Sequence, residues 1–337
     1  MHQRKIQNTS VSLTGLGFGG SVIGNLYRVT PVDDATAAVD AAWDAGIRYF
    51  DTAPHYGLGL SERRLGVALR DRPRAEYVIS SKVGRLLVPN EEPRGVDTEG
   101  FVVRDDLRRQ WDFSRDGMLR SIEDTLKRTG LDRLDIVYLH DPDAHWRQAA
   151  EEAMPTLAEL RGQGVIGAIG AGMNQSAMLA RFLRETAADV VMLAGRYTLL
   201  DQSALDDVLP AAYELGKSVV AVGVFNSGLL SGDRPTEGMR YDYQDAPPAL
   251  VSRARAIAEV CAGHGTTLPA AAIAFPYTHP SIINVTLGMR TAEQVGRNVE
   301  LHDQQVPDGL WNDLRAQGLI RSDVLTGHGG GRDERCL

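Results

Sequence analysis

A (β/α)8 barrel of the TIM type is the fold class the sequence predicts, with a short N-terminal β-hairpin and extra C-terminal helices. Three observations carry this. Short apolar runs alternate with amphipathic helical stretches along the chain, the pattern of a parallel sheet with helices outside it. Counting from a strand at Leu13, eight such units of about 35–40 residues follow one another. No linker-like stretch or composition break divides the 337 residues, so residues 1–325 are expected to form a single barrel domain. The glycine-rich end, 326–337, is expected to be a disordered tail.

The opening residues, 3–13, alternate weakly through Ile6, Val11 and Leu13 around Asn8-Thr9, as in a small hairpin. The next run, LTGLGFGG, contains G-x-G-x-x-G at Gly15, Gly17 and Gly20. As a dinucleotide-binding fingerprint it would need a helix to open at once, so that the helix N-terminus holds a pyrophosphate. The following SVIGNLYRVTP is loop-like instead. The run is better taken as a strand ending in a glycine loop whose backbone approaches a ligand. A helix then starts at Thr30-Pro31-Val32-Asp33, with threonine as cap, proline at the first helical position and an acid behind it.

From there the alternation is regular. The helix 32–45 stops at Gly46, a residue suited to the left-handed end of a helix. A strand 48–51, a helix 61–69 and a strand 77–82 follow. The polar stretch 84–113 has no clear period. Next come a helix 114–129, a strand 134–140, a helix 149–163, a strand 165–171, a helix 176–185 and a strand 189–193. A helix 203–215 and a strand 218–223 precede a long loop. The chain closes with helices 249–264 and 268–277, a strand 282–286, and helices 291–299 and 308–317.

Composition narrows the function classes. The net charge is −8, and no basic block interleaves with aromatics, which disfavours nucleic-acid or anionic-membrane partners. No apolar run approaches the ~18 residues that a membrane helix needs. The first residues lack the apolar core of a secretory signal. Cys261 and Cys336 lie far apart and fit a reducing compartment, so a cytoplasmic location is expected.

Three successive strands end in a polar group: YFD at Asp51, VISSK at Lys82 and IVYLH at His140. Tyr56 follows in the glycine-bounded loop after the first of these. In a barrel, the C-terminal strand ends form the reactive rim, so these four side chains should converge. A phenol with an ordinary pKa of about 10 is a poor proton-transfer group near neutrality. A neighbouring ammonium favours the phenolate and brings the group toward the working range. Asp51 can hold Lys82, and His140 can orient the reacting oxygen. This is acid–base machinery for a carbonyl/alcohol couple, which requires a hydride carrier. Metal chemistry fits less well: the histidines lack paired ligand spacing, and Pro142 makes His140-Asp141-Pro142-Asp143 a rigid turn. There is no G-x-S-x-G nucleophile elbow and no G-x-x-x-x-G-K phosphate loop.

With these residues in view, the chain resembles the aldo-keto reductase superfamily over nearly its full length. The matching segments are YFDTAPHYGLGLSERRLG, the strand-end Lys82, LDRLDIVYLHDPD, IGAGMN, NSGLLSG and GMRTAEQVGRN. The resemblance implies a barrel binding NAD(P) at the strand C-termini and a tetrad of Asp51, Tyr56, Lys82 and His140. HDPD after the fourth strand, VGRLLVP after the lysine, the Trp111–Ser114 segment and AGMNQ make it similar to bacterial aldose 1-dehydrogenases of the L-fucose or D-threo-aldose type. The implied reaction oxidises an anomeric hydroxyl to a lactone. Pyridoxal 4-dehydrogenases and general aldehyde or ketone reductases share the pattern. A nicotinamide-sensing binding subunit is the non-enzyme alternative.

The resemblance also implies cofactor contacts. Asn174 matches a residue that bonds the nicotinamide amide; Phe225, Asn226, Ser227, Gly228 and Leu230 match a pyrophosphate loop. Gly288, Arg290, Gln294 and Asn298 match the adenosine end, and Gly17, Phe18, Gly19 and Asp51 complete the set. Val222 stands where many relatives stack an aromatic ring on the nicotinamide, and Ala194 where a glutamine is common. Where NADP-dependent relatives place a lysine and an arginine, this chain has Gly288 and Gln294, leaving Arg290. With fewer cations for a dianionic phosphate, NAD is expected over NADP. Tyr27, Arg85 and Trp111, in loops after the first and third strands, are the expected substrate contacts.

Overall fold

In the computed structural model, which describes residues 1–242 and 244–325, eight parallel strands among the described residues close into a barrel. In chain order the strands are β1 (Gln3–Lys5), β2 (Ser12–Thr14), β3 (Leu16–Gly19), β4 (Tyr49–Asp51), β5 (Val78–Val83), β6 (Arg85–Pro89), β7 (Leu107–Trp111), β8 (Ile136–His140), β9 (Ala168–Met173), β10 (Val190–Ala194), β11 (Ser218–Val222), β12 (Arg240–Tyr241), β13 (Gln244–Asp245) and β14 (Ile282–Gly288). The staves run β3, β4, β5, β8, β9, β10, β11, β14, and β14 closes on β3 with Thr286 beside Gly17. The expected tail, 326–337, lies outside the described residues.

Side-chain alternation sorts each stave into two faces. Phe50, Ile79, Val137, Leu139, Ile169 and Val191 point outward into the apolar layer beneath the helices. Tyr49, Ile136, Tyr138, Val190 and Met192 point inward. The β1–β2 hairpin, turning at Asn8 with φ 62°, plugs the N-terminal end of the barrel with Ile6, Val11 and Leu13. Leu13 thus belongs to the plug, and the first barrel stave begins at Leu16, inside the glycine run. Gly17 sits there because a Cβ would lie 2.4 Å from Thr286 Oγ1 and 2.7 Å from the Tyr49 ring.

The helices fall close to their expected places. Val32–Asp44 buries Ala35, Ala38, Val39, Ala42 and Trp43, and Asp33 and Asp34 suit the positive end of its dipole. Its cap differs from expectation: Pro31 occupies the cap position, and Thr30 instead donates its hydroxyl to the Val22 carbonyl at 2.9 Å. Arg115–Thr129 is capped by Ser114, whose hydroxyl accepts from the Gly117 N–H, and ends at Gly130 in the left-handed conformation. The segment 146–162 is continuous but contains a π-helical turn at Ala149–Ala153. The 203–215 segment divides into a 3-10 turn, Ser203–Asp206, and a helix, Val208–Glu214.

The stretch 84–113, without period in the sequence, contains an antiparallel pair of strands. β6 and β7 pair from Arg85 opposite Trp111 to Pro89 opposite Leu107. Their connection folds back over the barrel mouth, where Leu26 and Phe101 form an isolated bridge. Among the described residues, no helix is long and apolar enough to cross a membrane.

Candidate active site

The barrel's alternation points Asp51, Lys82 and His140 inward from the ends of the neighbouring staves β4, β5 and β8. Lys82 Nζ lies 2.6 Å from Asp51 Oδ2 and donates to the Thr52 carbonyl at 3.1 Å. The other Asp51 oxygen accepts from the Ser80 hydroxyl at 2.7 Å, which lies 3.0 Å from the Tyr49 hydroxyl. The buried ion pair therefore stands on a hydrogen-bonded floor, which a pair removed from water requires. From outside, the fully buried Glu62 accepts from Ser81 and pairs with Arg128 at 2.5 Å, fixing β5 against the helix Leu60–Leu69.

Tyr56 enters from a tight loop. Gly57, with φ 63°, lets that loop lie on Gly24, whose carbonyl would be 2.2 Å from any Cβ there. Thr52 and Ser61 bond through their hydroxyls across the loop at 2.8 Å. Lys82 Nζ is then 4.6 Å from the centre of the Tyr56 ring, and the His140 ring stands edge-on to it at 5.9 Å. The structure thus brings Asp51, Tyr56, Lys82 and His140 together.

The electrostatics carry one correction. Burial pushes the Tyr56 phenol above its ordinary pKa, and Asp51 adds to the rise; Lys82 pulls it down without prevailing. The lysine acts in the expected direction, but burial outweighs it in the protein alone. Burial alone would lower the Lys82 pKa, yet Asp51 and then Tyr56 raise it, so the ammonium is held charged. Burial, then Arg85 and Lys82, depress His140 well below the histidine range, and the same causes with Arg109 bring His55 to about 2. Both imidazoles are neutral. His140 Nδ1 is buried with no hydrogen-bond partner among the described residues.

A cavity of about 550 Å³ runs over these groups and along the barrel mouth. Of the expected cofactor contacts, Gly19, Asp51, Asn174, Phe225, Asn226, Ser227, Gly228 and Gly288 line it. The others do not. Gly17 lies deeper in the barrel, and Phe18, on the opposite face of β3, packs on Phe50 at 5.9 Å. Leu230 is fully buried in the outer core. Arg290 turns toward segment 22–30, donating to the carbonyls of Leu26 at 2.8 Å, Arg28 at 3.0 Å and Val22 at 3.2 Å, and to Thr30 Oγ1. Gln294 accepts from the Arg290 N–H at 2.8 Å, and Asn298 is buried. Val222 and Ala194, at the tips of β11 and β10, do line the cavity.

The part of the cavity wall that the expected contacts do reach is suited to a nicotinamide cofactor. Asn226 Oδ1 is buried without a hydrogen-bond partner among the described residues, and Asn226, Ser227 and Gly228 in succession adopt positive φ. Gly19 and Gly288 present bare backbone along its wall.

Of the expected substrate contacts, Tyr27 lines the cavity. Arg85 and Trp111 border an adjoining groove of about 320 Å³ with Asp141, Asn174 and His145, the guanidinium lying 4.4 Å from the Trp111 ring centre. Sequence reasoning missed the roof. Phe101 packs against the His55 ring at 5.1 Å and the Tyr56 ring at 6.1 Å. Arg109 holds Asp97 through two bonds of 2.5 and 3.0 Å and donates to the His55 carbonyl at 3.0 Å; Arg85 pairs with Asp141. His55 and Asp141 are chain neighbours of Tyr56 and His140, a signal that was available. The i, i+2 spacing of Arg109 and Trp111 on β7 also marks one face of a strand.

This fold and rim define a class. Residues 15–317 match the Aldo/keto reductase family, and the chain belongs to it; it is an NAD(P)-dependent oxidoreductase. Among its relatives, a D-threo-aldose 1-dehydrogenase from Pseudomonas sp is 48% identical over 92% of this chain and 95% of its own length. A pyridoxal 4-dehydrogenase from Microbacterium luteolum is 37% identical over 94% and 98%. Among solved structures, an aldo-keto reductase from Bacillus halodurans covers 97% of this chain and 99% of its own, with a TM-score of 0.74 at 24% identity, a likeness of fold.

Proposed function

We propose that this protein oxidises the anomeric hydroxyl of an aldose to a lactone, with NAD as the preferred cofactor. The observation that carries the reading is the buried Asp51–Lys82 pair set 4.6 Å from the Tyr56 ring, with neutral His140 on the adjacent stave. The 48% identity to a D-threo-aldose 1-dehydrogenase supports an aldose as the substrate class.

In this mechanism the C1–H and O1–H bonds of the cyclic sugar break as C1=O forms. The nicotinamide, when bound, supplies the hydride acceptor. Tyr56 accepts the hydroxyl proton, for which it must enter as the phenolate. Lys82 stabilises that form by its charge, and Asp51 keeps Lys82 in place. His140, neutral and buried, hydrogen-bonds the sugar oxygen and fixes its direction toward Tyr56. Phe101 and the surrounding roof exclude water. Asn174 would hold the nicotinamide end of the cofactor, and segment 225–228 its pyrophosphate.

The preference for NAD rests on Arg290. It is the cation that the resemblance leaves for a 2′-phosphate, and its guanidinium is engaged with the 22–30 segment. The test is the rise of reduced-nicotinamide fluorescence when purified protein meets NAD⁺ or NADP⁺ with a panel of aldoses and pyridoxal. Turnover with aldoses and NAD⁺ is expected. Turnover of pyridoxal alone would replace the aldose reading.

A further inference from the structure

Glu99 stands at the mouth of the cavity, on the connection between β6 and β7. It lines the same cavity as Tyr56, Lys82 and His140. Three nitrogens surround its carboxylate: Arg109 Nη1 at 3.4 Å, Arg85 Nη1 at 3.6 Å and His55 Nδ1 at 3.7 Å. All three distances exceed the 2.7–3.2 Å that is usual for an N–H···O bond. The short bonds of those arginines go elsewhere, from Arg109 to Asp97 and from Arg85 to Asp141. Glu99 thus only shares two guanidiniums that already pair with Asp97 and Asp141, and its half-exposed carboxylate keeps acceptor capacity toward the cavity. A carboxylate carries about four lone-pair sites, and sugar hydroxyls are the donors suited to them.

The backbone beneath Glu99 is fixed. Tyr27 N–H donates to the Gly100 carbonyl at 2.7 Å, and Val102 N–H donates to the Asn25 carbonyl at 2.9 Å. The Asn25 amide donates to the Val102 carbonyl at 3.1 Å, and its oxygen accepts from Thr30 N–H at 2.9 Å and Arg64 at 3.1 Å. Arg64 also donates to the carbonyls of Ile23 at 2.6 Å and Thr30 at 2.9 Å, while Arg290 holds the other side of the same segment. Two buried-stem arginines therefore anchor loop 22–30, and that loop anchors residues 100–102. The side chain just before them is presented from a held position, as precise recognition requires.

We propose that Glu99 is a specificity-determining residue that accepts a hydrogen bond from a ring hydroxyl of the sugar. It thereby selects sugars that carry a hydroxyl at that ring position over those that lack it. The proposal rests on the aldose reading above. Tyr56 and His140 act on the anomeric oxygen, and Glu99 acts on a hydroxyl elsewhere on the ring.

The experiment is steady-state kinetics of the wild type, Glu99→Gln and Glu99→Ala with the best aldose and its monodeoxy analogues. A hydrogen bond to a charged acceptor is worth a factor of about 10–100. Glu99→Ala should raise KM for the aldose by that factor and change kcat by under about threefold. Glu99→Gln should fall between, because an amide oxygen accepts more weakly. For the deoxy sugar lacking the recognised hydroxyl, the penalty should disappear. NAD⁺ affinity, measured by fluorescence quenching, reports that each variant is folded. An aldose KM within about twofold of wild type in both variants overturns the Glu99 assignment and leaves the aldose reading standing. A penalty equal on every deoxy sugar overturns it as well, since the effect would then be general to the roof. A wild type that oxidises no aldose overturns both.

Discussion

At the N-terminal end of the barrel, the β1–β2 hairpin sets Ile6, Val11 and Leu13 against Ile136, Val190 and Ile283. At the other end the same sheet finishes in Asp51, Lys82 and His140, roofed by arginines and carboxylates. A single stave shows the gradient: inward positions of β8 run from Ile136 through Tyr138 to His140. Polarity rises along the axis because each end has a different partner. The bottom is sealed by apolar side chains, whose packing needs no charged partner. The top buries charges, and each needs a neighbour to compensate it. Both ends thus contribute stability while the proposed chemistry sits at the top alone, and substitutions at the two ends should separate turnover from stability.

The largest separation is expected between Lys82→Met and Leu13→Ala. Lys82→Met leaves Asp51 buried without its counter-charge, which costs about 3–5 kcal/mol of stability, and removes the group that favours the Tyr56 phenolate. Turnover should fall beyond detection at any temperature. Leu13→Ala opens a cavity in the plug and costs a similar amount, about 2–5 kcal/mol. Below its unfolding midpoint, kcat should stay within about twofold of wild type. Thermal melts beside turnover measurements check this. A Leu13→Ala enzyme that loses turnover while still folded would mean that the ends are coupled through the barrel.

Tyr56→Phe comes next and touches the top alone. Loss of a general acid–base group is worth about 10²–10⁴-fold in turnover, with NAD⁺ affinity and melting temperature nearly unchanged. Turnover equal to wild type would remove Tyr56 from the mechanism.

The same half of the molecule should show itself in the pH profile. The phenol is raised above its ordinary value of about 10, and oxidation needs the phenolate. Below the raised pKa the phenolate fraction grows with pH, so kcat/KM for aldose oxidation should climb by about tenfold per unit. Carbonyl reduction needs the phenol and should be flat across neutrality. His140 and His55 are neutral through this range, so neither direction should show a step at about 6–7, the ordinary histidine range. A step there in the wild type that His140→Gln abolishes would show that the imidazole titrates during turnover.

What the sequence disclosed follows the same division. The staves and helices were legible because each repeats one period against one neighbour. The four rim residues were legible because strand ends punctuate that period with polar groups. Less legible was whatever a distant contact decides. Ser80 was within reach, since it precedes Lys82 by two and therefore shares its inward face. Phe18 could have been excluded by the same rule, because Gly17 and Gly19 flank it on the face turned inward. The β6–β7 pair escaped notice because arginines and a tryptophan, held by one another and by carboxylates, replace the usual apolar alternation. Thr30 reads locally as a helix cap, and only the fold brings Val22 and Arg290 to its hydroxyl.

Arg290 supplies the smallest expected effect and the sharpest test of how the two halves of the cleft are joined. A cation at the adenosine end, judged by position alone, should serve a 2′-phosphate. In the fold its guanidinium instead reaches three carbonyls of the segment that carries Tyr27 and supports the Glu99 roof. Arg290→Met would leave those acceptors short of a partner, at about 1–3 kcal/mol, and loosen the loop. The expected result is a lower melting temperature and an aldose KM raised several-fold. The ratio of NADP⁺ to NAD⁺ affinity should move by less than about threefold, because a phosphate contact that is not made cannot be lost. Arg290→Lys should restore little, since one ammonium cannot replace a planar fork that serves several acceptors. A selective loss of NADP⁺ binding of about tenfold or more, with NAD⁺ and the melting temperature unchanged, would show that the side chain leaves the loop and turns to the cofactor.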